Sequence, residues 1–154
     1  MKLLLNLITV GAFKHFAGMS EETNAFTANV LLDGKLIGYA DNHGKGGCTH
    51  VRFLGDNRHE MEVHQTAIAD HVDTLVDAKL DEKHLAKVVV KVRRDAHKSV
   101  MYVKVAHVKG QYSAFKAITD ANRQKAIDAA KTRPDFKVLV SDMTDAEIIA
   151  HFTA

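Results

Sequence analysis

The chain has no tryptophan, a single proline (Pro134), a single cysteine (Cys48) and only 6% aromatic residues. One cysteine excludes an internal disulfide, so packing and hydrogen bonding must hold the fold; this suits a reducing, cytoplasmic setting. Few aromatics, with no RNP-like cluster among them, argue against a module that reads bases by stacking. No apolar run is long enough to cross a bilayer, so no membrane role is expected. The opening MKLLLNLITVGAF has one lysine, an apolar run broken by Asn6 and no small-residue cleavage site, so it reads as part of the fold and not as a secretory leader. No repeat, low-complexity tract or linker divides the 154 residues, which fit a single domain, 1–154.

The chain is 46% hydrophobic and 26% charged, the balance of a globular protein. The net charge of +2 conceals a strong segregation. Residues 1–78 hold six Lys/Arg against ten Asp/Glu, residues 79–133 hold fourteen against five, and residues 134–154 hold one against four. A middle third this basic reads either as a solvated face whose lysines pair with carboxylates elsewhere in the fold or as a surface for an anionic partner, a nucleic acid or an acidic protein.

Residue patterning places these charges on a scaffold. Leu3–Phe16 and Asn24–Leu32 read as strands. Asp33-Gly34 is the dipeptide of a two-residue hairpin turn, returning the chain through Leu36–Ala40, and Thr49–Leu54 makes the next strand of an antiparallel meander. Asn57 then caps a helix over 58–79, where Met61, His64, Ile68, Val72, Leu75 and Val76 recur at spacings of three and four. In Lys87–Arg94, Val88, Val90 and Val92 alternate with charged residues. The run is predicted as a strand paired through the tip Arg94–Lys98 with Ser99–Val108, giving a basic β-hairpin. Asp120 caps a helix through Thr132, Phe136–Val140 is a short strand, and Thr144 with Glu147 forms a capping box for a last helix. The expected class is α+β: a mainly antiparallel sheet, a long amphipathic helix packed on it and one or two shorter C-terminal helices.

The segment Asp41–His50, DNHGKGGCTH, concentrates three glycines, two histidines and the cysteine. Its glycines match neither the nucleotide P-loop spacing nor G-x-G-x-x-G opening a helix. Asn42, His43, Gly44, Gly46, Gly47 and His50 therefore read either as a β-to-β connection or as a loop that meets a ligand or partner. His43 and His50 in the loop, with His64 and His71 seven apart on one helix face, are the candidate ligands of a divalent metal, although H-E-x-x-H is absent. No other cofactor is expected. Asp70, Asp73 and Asp77 share a helix face, read as its wet side. Cys48 beside His50 lacks a third group to orient the base, and no catalytic residue is assignable. Lys87, Lys91, Arg93, Arg94, Lys98 and Lys104, with Tyr102 available to stack on a base, form the candidate anion or nucleic-acid contact.

Ser20–Thr23 (SEET), Leu32–Lys35 (LDGK) and Asn42–Gly47 (N-x-G-x-G-G) lie in one continuous run. That run resembles the N-terminal part of small uncharacterised accessory proteins of bacteriophage and prophage genomes. The resemblance covers the first third of the chain and carries no established activity. It implies a setting: an accessory protein of phage type in the cytoplasm of a bacterial host. Two functions follow as expectations. One is a binding protein that engages a host or defence protein or a nucleic acid through the basic hairpin and the glycine-rich loop. The other is a small metal-dependent or ligand-binding enzyme using the loop and helix histidines. Strand edges could also pair two copies into a homo-oligomer.

Overall fold

The structure, a computed structural model, describes residues 5–56, 58–116 and 119–153. The fold is α+β, with two antiparallel sheets, one long helix and shorter C-terminal helices. Two compact units divide the chain, Met1–Leu80 and Asp81–Ala154.

In the first unit, strands β1 (Ile8–His15), β2 (Phe26–Leu32), β3 (Lys35–Asn42) and β4 (His50–Phe53) pair in sequence order, every pair antiparallel. The expected meander is thus present. The β2–β3 reversal falls on Asp33-Gly34, and both residues have positive φ, 48° and 74°. A two-residue hairpin turn needs that conformation to follow the right-handed twist of its strands, and Asp and Gly tolerate it. Strand alternation sends Phe26, Ala28 and Val30 to one face with Ala40, Val51 and Phe53, while Thr27 and Tyr39 face outward. Leu3 and Leu4, read as the start of the first strand, and Asn57, read as a helix cap, lie outside the described residues.

A short helix α1 (Arg58–Glu62) follows β4, and the chain turns at Val63-His64 before α2 (Gln65–Lys98). The helix expected over 58–79 is therefore interrupted once and then runs on for 34 residues. Ile68, Ala69, Val72 and Val76 pack into the core of the sheet, with Leu75 and Leu80 against its margin.

This extension corrects the basic β-hairpin. Lys87–Arg94 is not a strand but the continuation of α2, and Arg94–Lys98 is its last turn and not a hairpin tip. Strand alternation would have buried Val88, Val90 and Val92 alike. In the structure Val92 is 8% exposed and Val90 is 67% exposed. The positions that pack are Val88, Val89, Val92 and Ala96, which recur at helical spacing around one core. No Gly, Pro or Asn interrupts residues 65–98, so nothing in the local sequence stops a helix.

In the second unit, β5 (Val100–Lys104) is the central strand between β6 (Ser113–Phe115) and β7 (Phe136–Leu139), both antiparallel to it. The strand expected over Ser99–Val108 is shortened accordingly. Val100 through Val103 are all buried because both faces of β5 are covered. Met101 and Val103 join the core that contains Val92, Ala96 and Ile148, whereas Val100 and Tyr102 join one with Ala126 and Ala130. Those last two residues belong to α3 (Asp120–Lys131), whose N-cap is Thr119, one residue before the expected Asp120; the Thr119 N–H donates to Asn122 Oδ1 at 2.9 Å. Helix α4 (Asp145–Phe152) begins with the expected capping box. The Glu147 N–H donates to Thr144 Oγ1 at 3.2 Å and the Thr144 N–H to Glu147 Oε2 at 2.7 Å. The Thr144 N–H, joined by the Thr144 hydroxyl donating to the same Oε2 at 2.9 Å, stabilises the ionised form and holds the Glu147 carboxyl below its ordinary range.

The helical phase of residues 87–94 is directly testable. Val92→Ser should lower unfolding stability by about 2–3 kcal/mol through lost apolar burial, while Val90→Ser should stay within about 0.5 kcal/mol of the parent. Equal losses in urea denaturation would restore the strand assignment.

Candidate functional site

The glycine-rich loop is organised by the amide of Asn42, which is buried at the end of β3. Its Oδ1 accepts from Thr23 Oγ1 at 3.0 Å and from the Gly44 N–H at 2.8 Å; its Nδ2 donates to the Gly47 carbonyl and to Thr49 Oγ1, each at 3.1 Å. Two lone pairs and two N–H groups are all occupied, the full capacity of an amide side chain. The Gly44 carbonyl accepts from the Glu21 and Glu22 N–H groups at 2.9 and 3.0 Å. Gly44 has φ +79°, and a Cβ there would lie 2.2 Å from the Met19 carbonyl oxygen, so the residue must be glycine. The loop thus follows the structural reading: Asn42, Gly44 and Gly47 fix a β-to-β connection. His43 and His50 remain on its exposed rim.

The buried hydroxyl of Thr49 extends this network by donating to Asp73 Oδ1 on α2. Asp73 is therefore turned onto the loop and does not lie on the wet side of the helix. Asp77 accepts from Asn24 Nδ2 at 2.8 Å, and Asp70 stays exposed. Glu22, Asp73 and Asp77 border a cleft of about 310 Å³ that also takes in Thr23, Asn42 and Gly47. Burial raises the pKa of Asp73, and the neighbouring Asp77 and Asp70 carboxylates raise it further, against the opposing hydrogen bond from Thr49. The cleft therefore gathers carboxylates, which disfavours a phosphate there. Nothing in the sequence pattern pointed to Thr49 or Thr23; their roles exist only once β4 and α2 are in place.

The four candidate metal histidines are dispersed. His43 is highly exposed with Nε2 3.6 Å from Asp41 Oδ2, His50 is exposed on β4, His64 occupies the turn before α2, and His71 is half-buried on α2. Among the described residues, no three His, Cys, Asp or Glu side chains converge in a way that could hold a metal ion. Cys48 is exposed.

The basic candidates divide into two sets. Tyr102 is 3% exposed, with its ring centroid 5.9 Å from Phe115 and the Arg133 guanidinium 5.7 Å from its own ring, so it cannot stack on a base. Arg93 is consumed internally: Nη1 donates to the Ser141 carbonyl at 3.3 Å, and Nη2 to the Met143 carbonyl at 2.7 Å and Asp145 Oδ1 at 2.8 Å. Lys104 Nζ lies 2.9 Å from Asp135 Oδ2, and that hydrogen bond holds the Asp135 carboxyl below its ordinary range. Lys87, Lys91, Arg94 and Lys98 are different. All four are exposed, and at about 100° per residue they fall within roughly 60° of arc, opposite the buried Val92 and Ala96 and the half-buried Val88 and Val89. Among the described residues Lys87, Lys91 and Lys98 have no ion-pair partner, and Arg94 has only an exposed one, Nε to Asp95 Oδ1 at 3.5 Å. The stripe extends roughly 16 Å along the helix axis.

The chain is an α+β protein with two antiparallel sheets, an internally satisfied polar loop and a single-sign basic stripe on its long helix. No family model, curated protein or solved structure matches it. No helix among the described residues is long and apolar enough to cross a membrane.

Two measurements check the loop. Asn42→Asp keeps the shape but removes two donors and adds charge close to Asp73, so it should cost about 2–4 kcal/mol at neutral pH. A loss below about 0.5 kcal/mol, within the range of surface substitutions, would dissociate Asn42 from the fold. For Asp73, the raised folded-state pKa means that protonation favours the folded state. The stability from that protonation is complete below the ordinary aspartate range and is lost as pH rises through the raised value. Asp73→Asn, which retains an acceptor for Thr49, should therefore gain in Tm relative to the parent between acidic and neutral pH. A difference that does not change with pH would contradict the assignment.

Proposed function

We propose that the protein is a non-enzymatic accessory factor that binds an anionic macromolecule through the exposed basic face of α2. The observation that carries this reading is the set Lys87, Lys91, Arg94 and Lys98, four cations on the exposed arc of one helix, three of them without an ion-pair partner among the described residues. A charge that a fold neutralises internally contributes to that fold; a single-sign stripe left open raises the local concentration of oppositely charged partners and their association rate. The resemblance of residues 20–53 to phage and prophage accessory proteins supports the setting, a bacterial host cytoplasm, where the partner is a host or defence protein or a nucleic acid.

The glycine-rich loop has a smaller part in this reading than the helix. Asn42, Gly44 and Gly47 are committed to holding the loop's shape, so only its rim, with His43, Lys45 and His50, is open to a partner.

Affinity capture from bacterial lysate tests the proposal, comparing the parent with a folded Lys87→Glu/Lys91→Glu variant, each with and without nuclease. Charge reversal should reduce recovery of the parent's partners by about tenfold or more, in line with the several kcal/mol that like-charge juxtaposition costs an interface. Loss of partners on nuclease treatment would assign a nucleic acid, and retention a protein. Identical capture by parent and variant would contradict the proposal.

A further inference from the structure

The basic stripe has an apolar component that a polyanion alone would not use. Ala86, Lys87, Val90, Lys91 and Arg94 line one shallow groove on the surface of α2. Val90 is 67% exposed. It lies one turn from Ala86, Lys87 and Arg94, so an apolar strip of Ala86 and Val90 runs along one edge of the cationic stripe and floors the groove. Lysine and arginine stems are themselves apolar, and with their charged ends in water they extend that floor sideways. The groove measures about 280 Å³ and is open to solvent, not enclosed as small-molecule pockets are, so its form suits a side chain of a macromolecular partner.

We infer that this groove docks an acidic polypeptide segment that carries an apolar side chain. Carboxylates of the segment meet Lys87, Lys91 and Arg94, and its aliphatic or aromatic side chain covers Val90 and Ala86. Charge complementarity selects the acidic character. The apolar floor selects polypeptide over nucleic acid, because a phosphate backbone would satisfy the cations while leaving Val90 against charged oxygens, with no gain from burying it. The inference rests on the proposed function and sharpens its partner from any anion to an acidic protein.

The test uses the full-length chain and fluorescence anisotropy with three labelled probes: a Glu-rich peptide with interspersed leucines, the same peptide with serine in place of leucine, and a DNA oligonucleotide. The leucine peptide should bind about fivefold or more tightly than the serine peptide, the scale expected for partial burial of one aliphatic side chain. Val90→Ser should erase that difference while leaving the serine peptide's affinity unchanged, and Lys87→Glu/Lys91→Glu should abolish binding of both. Because Val90 is exposed, its replacement preserves the fold, which far-UV circular dichroism verifies. Equal affinity for the two peptides, or a preference insensitive to Val90→Ser, overturns the docking groove. If only the DNA binds, and does so through Lys87 and Lys91, the inference fails and the proposed function stands. If no probe binds in a manner that depends on those lysines, both fail.

Discussion

Everything distinctive in this molecule follows from the demand that α2, a single uninterrupted helix of 34 residues, supply buried side chains to two cores. Ile68, Val72 and Val76 fix the rotation of its first part by packing on the four-stranded sheet. Val88, Val89, Val92 and Ala96 fix the rotation of its last part around a different core. A helix has no freedom to rotate one residue relative to the next, so burial of these side chains dictates which others remain in water. Lys87, Lys91, Arg94 and Lys98 are exposed together for that reason. The stripe is a geometric consequence of packing, and its uniform sign is the feature on which the proposed binding role rests.

The glycine-rich loop illustrates the opposite use of polar groups. Asn42 satisfies its whole amide within the protein, and the Thr49 hydroxyl is shared between Asn42 and Asp73. A buried network of this kind stabilises one conformation because breaking any member strands the others without water. It anchors a connection that has little apolar burial of its own. The cations of α2 stay open to solvent, whereas the polar groups of the loop are closed within the fold.

How much of this the sequence disclosed depends on how local each cause is. The Asp33-Gly34 turn, the meander around it and the Thr144–Glu147 capping box depend on residues within a few positions of one another, and each is present as expected. Lys87–Arg94 misleads because KVVVKVRR satisfies a two-residue period as well as a helical one, and β-branched valines favour the strand reading. The decisive fact, that Val92 is buried and Val90 is not, is set by β5 and α4, which come later in the chain. Tyr102 and Arg93 are equally opaque. The first is stacked against Phe115 and approached by Arg133, and the second hydrogen-bonds residues 48 to 52 positions away. Composition located the basic region, but only tertiary structure separates the cations that are spent on the fold from those left open.

Backbone chemical shifts of the full chain in solution test the central claim most directly. The account requires unbroken helical Cα and Cβ shifts from Gln65 through Lys98, followed by strand shifts over Val100–Lys104. Strand shifts across Lys87–Arg94, with a turn between Arg94 and Lys98, would contradict it, because the four exposed cations would then no longer share one helical face.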